Sequence, residues 1–378
     1  MKTEQRIYSV ETGWNILTDN KLSQTSQIVF LFGDRELLKS EKLISEIKTF
    51  YPKADLVGCS TSGEICQDEV KNGTIVSTAI HFEKTCVSVS SETIGEARDS
   101  FALGRKLAEN LSKADLKHVF VLSEGLNING SQLTKGINDI LGASISVTGG
   151  LAGDQALFQE TVVVCNAVGK KDIVVAVGFY GESIKVGYGS KGGWSSFGVD
   201  RMVTKSVANV LYELDGKPAL SIYKTYLGEH AAQLPSSALL FPISFRSGEE
   251  SIVRTILSVN EADGSMIFAG DIPQGEYVRL MSSSNDKLFG GAIDAAEMAL
   301  ESLQASTPDL AFLISCVGRK LVLKNRVEEE LEGVKEALGG DVTMTGFYSY
   351  GEICPTKPFD QKCELHNQTM TVTVFKEI

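Results

Sequence analysis

Short apolar runs alternating with amphipathic stretches set the pattern of this chain. Residues 28–34 (IVFLFGD) form a β-branched apolar run of strand length. The stretch ELLKSEKLISEIKTFYP follows, with Leu37, Leu38, Ile44 and Ile47 at helical spacing and Pro52 at its stop. ADLVGCSTSGEI (54–65) predicts a strand running into a glycine-punctuated turn, and TIVSTAIHF (74–82) a closing strand. The same order returns near the C-terminus: DLAFLISCVG (309–318) as strand, VEEELEGVKEALGG (327–340) as a helix ended by glycine, DVTMTGFYSYGEI (341–353), and NQTMTVTVF (367–375).

The two turns can be overlaid. Gly58-Cys-Ser-Thr-Ser-Gly63-Glu64-Ile65-Cys66 matches Gly346-Phe-Tyr-Ser-Tyr-Gly351-Glu352-Ile353-Cys354, in the same strand–helix–strand context. A looser third copy lies between them, in HVFVLSEG (118–125), QLTKGINDILG (132–142), SISVTGGLAGD (144–154), TVVVCNA (161–167) and DIVVAVGFYG (172–181). Residues of roughly 240–290 carry alternating strands such as SIVRTILSV (251–259), and a helix resumes at AIDAAEMALESLQ (292–304). The fold class expected is α/β, with mixed sheets assembled from repeated strand-helix-strand units. Two domains are expected, 25–220 and 221–378, although no Pro/Gly/Ser-rich linker marks the division.

Composition narrows the function. With 43% hydrophobic and 22% charged residues in 378, the chain is globular. Its net charge of −12 argues against nucleic acid and anionic membrane as partners. Seven cysteines without a CxxC pair read as reduced buried thiols, and the N-terminus lacks the apolar core of a signal peptide. A cytoplasmic protein without membrane insertion is expected.

Familiar catalytic motifs do not emerge. GCSTSG (58–63) has the wrong spacing for a nucleophile elbow. The Gly-x₄-Gly pairs are followed by Glu64 and Glu352, where a phosphate loop needs Lys and Ser/Thr. Gly187-Tyr-Gly189-Ser-Lys-Gly192 satisfies GxGxxG, but GGWSSFG follows instead of a helix, so it reads as a glycine-rich turn. Of the histidines, His81 and His118 read as packing or surface residues and His230 as solvated. His366, in CELHNQTM, reads first as a residue pinning the turn before the last strand.

The repeated turns suggest binding. Ser60, Thr61, Ser62 and Gly63 offer hydroxyls and backbone amides; Tyr348, Ser349 and Tyr350 add aromatic faces. Glu64 and Glu352 read as acceptors of turn amides, with the ammonium group of a ligand as their functional alternative. Gly150 and Asp154 hold the matching place in the third copy, and Arg319 is a candidate partner for a ligand carboxylate or propionate. An enzyme using Glu64, Glu352 or Cys316 is the competing class. Gly63 and Gly351 are expected to need special backbone geometry, to a similar degree.

VGCSTSGEI (57–65), VTGGLAGD (147–154), KGGWSSFG (191–198), SCVGRK (315–320), TGFYSYGEI (345–353) and LHNQTMT (365–371) together resemble the paired N- and C-terminal FIST sensory domains, from about residue 25 to the end. The resemblance implies a ligand-sensing module of bacterial signal transduction, with amino acids or similar metabolites as ligands. One branch, similar in lacking a fused output domain, comprises haem-binding, nitric-oxide-sensing proteins that act on a partner histidine kinase. Carried over to this sequence, that branch makes His366 the candidate axial ligand of a haem, with thiolates at Cys354 or Cys363 as competitors.

Overall fold

A computed structural model describes residues 1–95, 99–111, 114–247, 250–304, 307–359 and 362–378. Its strands form three six-stranded sheets and one eight-stranded sheet. Each six-stranded sheet is built around one copy of the repeated unit. In the first, strand Ile28–Gly33 runs parallel to Asp55–Ser60 and antiparallel to Ile75–His81. In the second, Leu116–Ser123 stands in the same relation to Ser146–Leu151 and Ile173–Tyr180. In the third, Leu310–Cys316 pairs likewise with Thr343–Ser349 and Met370–Glu377. A further antiparallel strand flanks each closing strand: Lys2–Ser9, Cys86–Thr93 and Ile184–Lys191. The central strands are buried on both faces, which explains their unbroken apolar runs.

The units are stitched into a ring. After its second parallel strand, each sends a short strand into a neighbour's sheet: Glu64–Cys66 joins Thr343–Ser349, Gly351–Pro355 joins Ser146–Leu151, and Val163–Cys165 joins Asp55–Ser60. Phe30, Phe120 and Phe312, at matching positions of the three first strands, meet where the sheets converge. Their ring centroids lie 5.5, 4.7 and 4.7 Å apart, in the range of favourable aromatic pairs.

The eight-stranded sheet spans Ser195–Val207 to Tyr277–Ser282 and interrupts the third unit between its flanking strand and helix Asn285–Leu303. Residue 220, the expected domain boundary, lies in helix Ala219–Leu227 inside this insertion, with sheet strands on both sides of it. The strand-rich reading of 240–290 matches the insertion; its residues 248–249 lie outside the described ones.

Two local expectations change. The single helix after Gly33 is two, Arg35–Leu38 and Glu41–Phe50, because the side chains of Asp34 and Ser40 each cap a new helix start. The GxGxxG segment is not a turn: Gly187 and Gly189 lie in strand Ile184–Lys191. A Cβ at either would overlap the carbonyl of Ala299 or Ala295, so these glycines let helix Asn285–Leu303 lie directly on the strand. No helix among the described residues is long and apolar enough to cross a membrane.

Candidate functional site

The repeated turns form joints between units, not a pocket. Thr61 Oγ1 donates to Glu64 Oε1 at 2.5 Å, and Thr74 donates through N and Oγ1 to Oε2 at 3.2 and 2.8 Å. The copy repeats this atom for atom, with Ser349 on Glu352 Oε1 at 2.5 Å and Thr369 on Oε2 at 3.1 and 2.9 Å. Ser60 Oγ accepts from Val162 N, while Ser62 N donates to the Tyr348 carbonyl and Tyr348 N to that of Gly63. Gly150 is pressed against Ile314, where a side chain would not fit. Ser60, Thr61, Ser62, Glu64, Tyr348, Ser349 and Glu352 are all buried. The two glycines differ: Gly63 sits at φ +144° and Gly351 outside the left-handed region, so only Gly63 carries a conformational demand.

Arg319 corrects another expectation. Fully buried, it places Nε and Nη2 on Glu330 Oε2 at 3.1 and 2.6 Å and donates to the carbonyls of Leu288 and Gly192. Tyr348 and Ser315 hydroxyls complete Glu330 at Oε1. This guanidinium is matched from within the chain, and no ligand carboxylate is needed there.

Burial pushes the Glu64 and Glu352 carboxyls up to about 7 from 4.5, with the hydroxyl and amide donors and the nearby Lys320 and Arg319 pulling the other way. Both hold their proton more tightly folded than unfolded. Their contribution to stability is therefore full below about 4.5 and is lost as pH rises through about 7. His118 opposes this: buried between Ser146 and Thr148 hydroxyls, its pKa falls from 6.5 to about 3, so its contribution is lost as pH falls through that window. The Glu64→Gln/Glu352→Gln variant cancels His118 in the comparison. Its melting temperature should gain steadily on the wild type from about pH 5 to about pH 8; a constant gap would refute the raised carboxyls.

The cavity lies elsewhere. A cleft of about 1110 Å³ opens at the C-terminal ends of the second unit's parallel strands, where ligands of open α/β sheets characteristically bind. Its floor is the loop after Leu116–Ser123, with Leu126, Asn127, Ile128 and Asn129. Glu124, buried, fixes that loop by accepting from Leu126 N and Asn127 N at 2.6 Å each and from Thr161. One wall is segment 156–159; the other comes from the inserted sheet through Asn209, Pro235, Ser236, Leu257, Ser258 and Ile267.

Asp154 builds the first wall. Its carboxylate accepts from the amides of Phe158, Gln159 and Glu160 at 2.8–2.9 Å and from the Tyr350 hydroxyl. Gln155, Ala156 and Phe158 stand at φ +62°, +64° and +53°, a strained run that these bonds hold in place. Tyr350 stacks on Phe158 at 4.6 Å. Of the residues singled out in the sequence, Asp154 and Tyr350 thus come closest to the cleft, as supports behind Phe158. Among the described lining residues Asp99 alone is charged, so the cleft suits a neutral, zwitterionic or cationic molecule with an apolar part.

His366 faces other work. Its Nε2 lies 2.9 Å from the Cys354 carbonyl, and it does not line the cleft. The pocket formed by the neighbouring Cys363, Glu364 and Leu365 holds about 240 Å³, below the roughly 300–1,000 Å³ that a drug-sized or larger group such as a haem occupies. Cys354 and Cys363 are buried, and burial pushes both thiols up, away from thiolate. These residues do not fit a haem.

The cleft residues left a weak sequence signal. LNING (126–130) joins a strand to a helix as a ligand loop would, but it carries amides in place of charged or nucleophilic groups.

Residues 27–217 match the FIST N domain and residues 219–355 the FIST C domain. An uncharacterised protein of Methanocaldococcus jannaschii is 25% identical over 340 residues, covering 82% of this chain and 64% of that protein.

Proposed function

The chain belongs to the FIST family, whose domains are sensory, ligand-binding domains of signal transduction, and from that premise we propose that it senses a small metabolite bound in the cleft between the second unit and the inserted sheet. The open cleft carries this reading. The corresponding strand end of the third unit runs into helix Val317–Leu323 and the Arg319–Glu330 pair; that of the first is covered by Arg35, which reaches Asp154. A zwitterionic amino acid or similar metabolite suits Asn127, Asn129, Gln132 and Asn209, whose amides each give one N–H to Asp172, Asp271 or the Phe268 carbonyl and have a second, beside Phe101, Phe158 and Leu257. Because the two walls belong to different sheets, an occupant bridges them and alters how the inserted sheet sits for a partner protein, such as a histidine kinase. Seven unpaired cysteines support a reducing, cytoplasmic setting.

The test is a thermal-shift panel of amino acids and related metabolites. At least one should raise the melting temperature of the wild type and raise that of Leu257→Trp, which narrows the cleft, less. A panel without any stabilising compound, or equal shifts in both proteins, would refute the proposal.

A further inference from the structure

A second buried arginine is treated differently from Arg319. Arg254, 5% exposed, donates to the carbonyls of Leu365 at 2.9 Å, Val253 at 3.2 Å and Asp271 at 3.4 Å, and to Ser131 Oγ at 3.4 Å. Every acceptor is neutral, and these contacts occupy at most four of its five N–H groups. No carboxylate among the described residues lies within ion-pair distance of it. Two carboxylates act on it from beyond contact, Glu364 and Asp271, and Asp271 spends its oxygens on Asn129, Gln132 and Lys135 at 2.8, 2.6 and 2.9 Å. A charge taken out of water without a counter-charge in contact is costly, and this chain supplies such a contact to Arg319.

Arg254 also lines the pocket of about 240 Å³ between the second unit's helix Gly130–Leu141, strand Cys363–His366 and the inserted sheet. Phe245, Ile252, Pro273 and Leu365 make its walls apolar, and Phe245 backs the guanidinium at 5.5 Å. We propose that this pocket binds the carboxylate of a short-chain organic acid on Arg254, with the hydrocarbon tail against Phe245, Ile252 and Leu365. The bound carboxylate takes the spare Nη2 proton and the weakly held Ser131 position. The site is distinct from the sensing cleft and stands without it. Its apolar walls, and a lining of three cations (Lys135, Arg254 and Lys362) against two carboxylates (Asp271 and Glu364), suit a monoanion better than a phosphate dianion. Burial lowers the Arg254 pKa to about 10, against the upward pull of Glu364 and Asp271.

Isothermal titration with isovalerate tests this, with inorganic phosphate and 3-methyl-1-butanol as comparators. Isovalerate should bind at one site, phosphate not at all, and the alcohol at least about tenfold more weakly, since it lacks the charge. Arg254→Gln should abolish binding. Ile252→Phe, which narrows the pocket and keeps the arginine, should weaken it, and serves if Arg254→Gln does not fold. Absence of heat with isovalerate, equal affinity for the alcohol, preference for phosphate, or undiminished binding by Ile252→Phe would each overturn the proposal.

Discussion

Glu330→Ala is expected to lower stability by about 3–5 kcal/mol, because it strands the fully buried Arg319 guanidinium. That is a large part of the roughly 5–15 kcal/mol by which a domain is held folded. The loss comes from the unpaired charge, not from the pair's own net strength. Replacing both partners in Arg319→Met/Glu330→Leu should therefore recover much of it, although the Tyr348 and Ser315 hydroxyls lose their acceptor. Urea unfolding of the three proteins decides the matter. A double variant no more stable than Glu330→Ala would show that the loss lies elsewhere.

Gly149→Ala should be as damaging. Gly58, Gly149 and Gly346 hold equivalent places in the three second strands, and a Cβ at each would overlap the carbonyl oxygen of Leu31, Val121 or Leu313. These carbonyls belong to the residues just after the phenylalanines that meet at the centre. Gly149 also stands at φ +145°, which an alanine rarely adopts. The expected loss is on the order of 4 kcal/mol or more. Gly290→Ala supplies the contrast: mid-helix, with open space around its Cβ, it should gain about 0.5–1 kcal/mol. Similar melting temperatures for the two variants would refute the account of the ring.

The repeated unit was legible because its turns demand particular residues. A glycine where strands approach, a hydroxyl three residues before a glutamate, and that glutamate itself recur in both joints for the same physical reason. The same demand misled the assignment of function. Polar residues flanked by glycines look like a ligand loop, yet Ser60, Thr61, Glu64, Tyr348 and Glu352 spend their polarity on groups of the chain itself, Val162, Glu330 and Ser349 among them. Whether a polar group faces a ligand or its own chain depends on partners distant in sequence, such as Glu330 for Arg319 or Thr369 for Glu352. The inserted sheet showed as alternating strands over 240–290 but not as an insertion, because no Pro/Gly/Ser-rich linker sets it off. The cleft was hidden for that reason: one wall comes from residues 126–159 and the other from residues 209–267, and neither is concave alone.

Hydrogen exchange with and without the stabilising metabolite tests the location of sensing most directly. Backbone amides in 126–132, 155–159 and 257–258 should gain protection together, since a ligand in the cleft touches all three. Protection confined to the turns at 60–64 and 348–352, with those segments unchanged, would contradict the account.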